Sequence, residues 1–153
     1  MLRTRLNEAL KTSMKAKEQV AVSTLRLILT AIKDRDIAAR SKGNDDGISD
    51  TEILQVLQTM VRQRHDSIEL YKQGGRQELA DQEQAEIEVI ESFMPRQLDE
   101  AEVEAAISEV IADTGAESVK DMGKAMSALR EKYAGQMDFG RASATLKAQL
   151  AAK

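Results

Sequence analysis

The sequence predicts an all-α protein, an N-terminal four-helix domain followed by a C-terminal three-helix bundle. Three observations carry that expectation. Apolar residues recur at three- and four-residue spacing along most of the chain, and no segment shows a convincing run of period-two alternation. The composition favours helix formers: Ala, Leu, Glu, Gln, Lys and Arg abound, while the 153 residues include one proline, two phenylalanines, two tyrosines and no tryptophan. Glycine-bearing turns and a single proline divide the helical stretches at regular intervals.

Taken in order, the first helix is expected over about residues 2 to 16, where Leu2, Leu6, Leu10 and Met14 recur every four residues. The second runs from about 19 to 41 on a stripe of Val22, Leu25, Leu29 and Ile32 widened by Ile28, with Arg26, Lys33 and Arg40 outside it. The segment "SKGNDDG", residues 41 to 47, reads as a loop. Ser49 and Glu52 then have capping-box spacing, each side chain able to satisfy an otherwise unpaired amide. The third helix continues through Ile53, Leu57, Met60, Val61, Arg64, Ile68 and Tyr71 until Gly74 and Gly75 end it. The fourth, about 76 to 93, sets Leu79, Ile87, Ile90 and Met94 against a dense acidic face.

Pro95 cannot continue a helix without losing a hydrogen bond and clashing with the turn before it. The domain boundary is placed there, giving an N-terminal domain over 1–95 and a three-helix bundle over 96–153. Asp99 and Glu102 read as a second cap, followed by Val103, Ala106, Ile107, Val110 and Ile111, with Gly115 as the stop. The next helix is expected within "VKDMGKAMSALREKYAG", residues 119 to 135, with Met122, Ala125, Met126, Leu129 and Tyr133 as its apolar face. Asp138 caps the last, which carries Phe139, Ala142, Leu146 and Leu150. Both apolar sets are used up in internal cores, so a monomer is expected.

Charge is unevenly distributed. Net charge is −4, yet residues 1 to 40 and 118 to 153 are basic (+5 and +4), and the segments 41 to 95 and 96 to 117 are acidic (−7 and −6). Such a pattern suggests a local basic face, or ends that attract the acidic middle. Zero cysteines exclude disulfides, thiolate metal sites and a cysteine nucleophile, in keeping with a reducing cytoplasm, where the protein is expected to act. No stretch approaches the roughly 20 apolar residues of a membrane span, and the N-terminus has no leader-like apolar run, so no membrane partner is expected.

Catalytic fingerprints are missing: the chain has no GxxxxGK[ST] loop, GxSxG elbow, HExxH pair or GxGxxG after a strand. No catalytic residue, metal site or cofactor is assigned. His65, the single histidine, reads as a partly exposed helix residue near Glu69, since a lone histidine without cysteine makes a poor zinc site. In the acidic run 78 to 91, Glu78, Asp81, Glu88 and Glu91 read as a solvated face, with a docking surface for a basic partner as the alternative.

The basic C-terminal set, Lys120, Lys124, Arg130, Lys132, Arg141 and Lys147, is the remaining candidate. Lys120 and Lys124 lie one turn apart beside Gly123, whose missing side chain permits close approach. A phosphate backbone fits such a place, helped by the helix dipole and free amides at the helix start. The other reading is that Gly123 lets a neighbouring helix pack closely and the lysines only solubilise.

Three segments in order, "STLRLILTAIK" (23–33), "AEIEVIESFMPRQLDEAEV" (85–103) and "TGAESVKDMGKAMSALREKYAG" (114–135), give the chain a resemblance to the GatB/YqeY family, in particular its stand-alone members. The resemblance covers nearly the whole length. It implies a helical N-terminal domain and a C-terminal three-helix bundle related to the tail of the GatB component of the glutamine-dependent Asp/Glu-tRNA amidotransferase, where such a module contacts the tRNA body without a catalytic part. It implies Lys120, Gly123, Lys124, Arg130, Lys132 and Arg141 as tRNA-contact candidates, and tRNA, an amidotransferase or a synthetase as partners. The chain lacks the cradle domain that holds ATP and the transfer site, so a carbon–nitrogen ligase activity with glutamine as amido donor belongs to the family and not to this chain acting alone. The turn "YAGQ", Tyr133 to Gln136, has no basic residue beside Gly135 where relatives often carry one, which implies weaker tRNA affinity.

Overall fold

The computed structural model describes all 153 residues and contains seven α-helices and no strand. The chain divides into two compact units, Met1–Met94 and Pro95–Lys153. The first holds α1 (Leu2–Ala16), α2 (Gln19–Arg40), α3 (Asp50–Gln73) and α4 (Gln77–Glu91). The second holds α5 (Glu100–Thr114), a 3-10 turn (Val119–Asp121), α6 (Met122–Lys132) and α7 (Phe139–Ala151).

In the first unit, the capping box forms as expected: the Glu52 amide donates to Ser49 Oγ at 3.2 Å and the Ser49 amide to Glu52 Oε1 at 3.3 Å. At the other end of α3 the second glycine, Gly75, takes the left-handed conformation (φ 70°). The loop before α3 is fastened by Asp36, whose carboxylate accepts hydrogen bonds from the two terminal guanidinium nitrogens of Arg3 (2.8 and 3.0 Å) and from the Ile48 amide (2.9 Å).

The core of this unit is built from Leu2 and Leu6 of α1, Leu25, Ile28 and Ile32 of α2, Ile53, Val56, Leu57, Met60, Val61 and Ile68 of α3, and Ala80, Ile87 and Ile90 of α4. Met14 is a correction, being half exposed. A strict four-residue repeat advances about 400° per step, so three steps carry Met14 about 120° away from Leu2. The buried line bends instead through Ser13. Likewise Thr24 joins Leu25, Ile28 and Ile32 as the buried positions of α2, while Val22 and Leu29 are only partly buried, and Ala80 lies deeper than Leu79.

The acidic face of α4 is only partly solvated. Glu78, Asp81, Glu88 and Glu91 are exposed, but Glu83 and Glu86 flank Arg64 of α3 at 3.8 and 3.2 Å. With Arg64 and Glu86 at 12% and 13% side-chain exposure, this is a half-buried ion cluster. His65 is exposed.

In the second unit, Asp99 and Glu102 form the expected box, the Glu102 amide donating to Asp99 Oδ1 at 2.8 Å, and Gly115 ends α5 with φ 68°. The Asp138 carboxylate accepts the Gly140 amide at 2.9 Å and starts α7. Ala106, Ile107, Val110, Ile111, Ala125, Met126, Leu129, Ala142, Leu146 and Leu150 interlock as the core, with Met122, Tyr133 and Phe139 packed at its edge. The segment after Pro95 is tied to the α6–α7 turn: Gln97 Nε2 donates to the Gly135 carbonyl at 2.6 Å, and the Leu98 amide to the Gln136 carbonyl at 2.9 Å.

Candidate nucleic-acid interface

The helix expected from residue 119 begins differently. Val119–Asp121 is a 3-10 turn, and α6 proper opens at Met122, so Lys120 precedes the α-helix. The local chemistry explains the turn. Asp121 Oδ2 accepts the amides of Glu117 (2.9 Å) and Ser118 (3.3 Å), while Ser118 Oγ accepts the Lys120 amide (3.3 Å). The Asp121 amide donates to the Ser118 carbonyl at 2.9 Å. This last bond spans one residue fewer than an α-helical one, as in short 3-10 starts, and the side-chain bonds hold the turn closed.

This arrangement corrects the expectation of free amides for a phosphate. The amides of Glu117, Ser118, Lys120 and Asp121 already have acceptors within the protein. Two backbone donors, those of Glu117 and Ser118, hold the Asp121 carboxyl below the usual carboxylate range. Any polyanion here meets side-chain cations and a resident carboxylate.

Gly123 is exposed, and a Cβ built on it meets nothing within 4 Å. The helix-packing reading of this glycine is therefore overturned, because no neighbouring helix fills the space. At about 100° per residue, Gly123, Ser127 and Arg130 fall on one line of α6, with Lys124 and Glu131 beside it. All five are exposed. The buried Ala125, Met126 and Leu129 occupy the opposite side.

Lys132 stands apart from this group. Its ammonium pairs with Glu109 Oε1 of α5 and lies 5.7 Å from the Tyr133 ring centroid, and the Tyr133 hydroxyl donates to Glu109 Oε2 at 3.2 Å. The pairing with Lys132, then the Tyr133 hydroxyl, lowers the Glu109 carboxyl, and the Lys132 ammonium is raised in turn. On α7, Arg141 is exposed with Asp138 at 4.0 Å, and Lys147 is exposed. Six residues separate these two, about 120° around the helix, and exposed Ala144 lies between them.

The structure thus brings Gly123, Lys124 and Arg130 to one outward side of α6, leaves Lys120 exposed in the turn before it, sets Lys132 into an ion pair, and leaves Arg141 and Lys147 on α7. Sequence reasoning passed over Asp121, Ser127, Glu131 and Glu109. Asp121 was findable, since Ser118 and Asp121 have the same three-residue spacing as the other two boxes. Glu109 was not, because its pairing with Lys132 depends on α5 and α6 packing together.

A two-unit all-helical protein whose second unit is a small bundle with one open glycine beside exposed Lys124 and Arg130 is the class that fold and site define. The chain belongs to the Yqey-like protein family, whose model matches residues 3–150. It is similar to altered inheritance of mitochondria protein 41, mitochondrial, from Lachancea thermotolerans (30% identity over 110 residues, 71% of this chain and 57% of that protein). The same-named proteins of Eremothecium gossypii and Vanderwaltozyma polyspora are 32% and 27% identical, over 58% and 76% of this chain and 46% and 64% of theirs. The chain therefore spans roughly half to two thirds of the curated relatives it matches. No helix is long and apolar enough to cross a membrane.

Proposed function

We propose that the protein is a non-catalytic tRNA-contact module that works beside a tRNA-amidating or aminoacylating enzyme in the cytoplasm. One observation carries the reading most: Gly123 opens to solvent with nothing within 4 Å of its would-be side chain, on the side of α6 that bears Lys124 and Arg130. Neither cation closes an ion pair within the chain, nor does Lys120. A bare backbone between unpaired cations lets a phosphate backbone approach closely, and such contacts supply sequence-independent affinity. Family membership supports the same reading, since the amidotransferase tail that the C-terminal segment resembles contacts tRNA.

Asp121 and Glu131 moderate the positive face, so affinity is expected to be modest and to fall with salt. A mobility-shift titration with tRNA at several salt concentrations tests it. Lys120→Ala with Lys124→Ala should flatten the dependence of log affinity on log salt by roughly 0.7 to 0.9 for each phosphate no longer neutralised. Binding that is no tighter than to an unrelated acidic polymer, or that the double variant leaves intact, would sink the proposal.

The second reading, docking on a translation enzyme through α4, draws on the exposed Glu78, Asp81, Glu88 and Glu91. Reversing Glu88 and Glu91 to lysine should then abolish co-purification with that enzyme while leaving tRNA affinity unchanged.

A further inference from the structure

Three cations of α2 take no part in its core or in the α6 face. Arg26, Lys33 and Arg40 stand seven residues apart, so they form one line along the helix, about 10.5 Å from each to the next and drifting about 20° at each step. All three are exposed. None closes an ion pair within the chain. The two acids of α2 leave the line uncompensated: Asp36, one turn before Arg40, is already held by Arg3 and the Ile48 amide, and Asp34 lies about 100° around the helix from Lys33. Exposed Gln19 and Thr30 add side-chain donors within about 40° of Arg26. At the start of the line, Lys17 in its left-handed turn (φ 58°) shares an open hollow of about 350 Å³ with Gln19, Ser23 and Arg26, which puts a fourth cation there.

The make-up of this row selects its occupant. A docking helix needs apolar anchors at i, i+3/i+4 and i+7, but Gln19, Ser23, Arg26, Thr30 and Lys33 are all polar and only Ile37 interrupts them. The exposed Val20 and Leu27 sit about 100° or more around from Arg26, off the row. A lipid surface is disfavoured for the same reason, since an interfacial helix presses an apolar face into the membrane. A phosphate backbone asks only for cations and donors. The exposed face of α2 carries no aromatic ring on which unpaired bases could stack, so a strand with splayed bases gains little there. A double-helical segment keeps its bases stacked inside and offers phosphates outside, where shape and charge recognise it.

We infer that the outer row of α2 binds the phosphate backbone of a double-helical RNA segment. The surface belongs to the first unit and stands whether or not the α6 face binds. Its test is amide NMR and a salt titration on the full chain with an RNA duplex of about 20 base pairs and arbitrary sequence, a length that covers the row. Shifts should run from Lys17 to Arg40. Arg26→Gln with Lys33→Gln and Arg40→Gln should weaken binding about tenfold or more and flatten the dependence of log affinity on log salt by about 0.9 for each phosphate released. Leu27→Ser should change neither, and Lys120→Ala with Lys124→Ala should leave the α2 shifts in place. Three results would overturn the inference: no shifts along the row, an unchanged salt dependence in the triple variant, or equal shifts from polyglutamate or phosphatidylserine vesicles.

Discussion

Asp121 accepts the Ser118 amide at 3.3 Å while the Ser118 hydroxyl accepts the Lys120 amide at 3.3 Å, so the turn leading into Gly123 is closed on itself by its own carboxylate. The attraction of α6 for an anion therefore rests on side chains and on the open backbone at Gly123, and less on the helix start. That division makes Gly123 the position where stability and binding separate.

Gly123→Ala should stabilise the second unit by about 0.5 to 1 kcal/mol, because alanine is the better helix former and no atom obstructs its methyl group. The same substitution should weaken tRNA binding if phosphates approach the backbone there. Urea unfolding and a mobility shift on one variant read both effects. Unchanged affinity with raised stability would leave the glycine without a binding role.

Thr24 is fully buried in α2, and its Oγ1 has no hydrogen-bond partner. A buried hydroxyl without a partner costs roughly 1 to 3 kcal/mol of desolvation. Thr24→Val keeps the shape and removes the polar atom, so the unfolding midpoint in urea should rise, with a gain of about 1 kcal/mol. A loss of stability would mean the hydroxyl is satisfied in solution.

Burial, followed by the Glu86 carboxylate, raises the Glu83 pKa, and Arg64 opposes the shift. An acid whose folded pKa is raised holds its proton more tightly when folded. Its contribution to stability is complete below the ordinary glutamate value of about 4.3 and is lost as pH rises through the folded value. Glu83→Gln should therefore flatten the fall in stability across that window relative to the parent, and be neutral or stabilising at about pH 7. Urea unfolding of both proteins at matched pH values decides, and a steeper fall in the variant would contradict the assignment.

Arg96 grips Glu102 with its two terminal guanidinium nitrogens, at 2.9 and 2.6 Å, and Glu102 also accepts the Asp99 amide at 3.2 Å. With the Arg96 bond as the largest cause, the Glu102 carboxyl is lowered to about 2. A depressed carboxylate contributes stability that is present above its unfolded value and lost as pH falls through the folded one. Carboxyl NMR titration of Arg96→Gln should find Glu102 moved up toward the ordinary value of about 4.3, while the Asp99 amide keeps it somewhat below. No movement would show that the amide alone sets it.

Local chemistry made much of this fold readable in advance. The boxes at Ser49 and Asp99, the glycine stops at Gly75 and Gly115, and the apolar lines through Ile53 to Ile68 and Phe139 to Leu150 each depend on residues within a few turns of one another. Spacing of this kind survives any tertiary arrangement, because it is satisfied inside a single helix and its caps. The basic character of the residues flanking Gly123 was legible too, though not the choice between packing and openness there.

That choice, like the pairing of Lys132 with Glu109 and the seating of Arg64 between Glu83 and Glu86, belonged to the packing of separate helices. A helix repeat states which residues share a side, not which side a neighbour covers. Whether a lysine stays free or a glycine stays open depends on groups many residues away, and those distances are set only when the cores close.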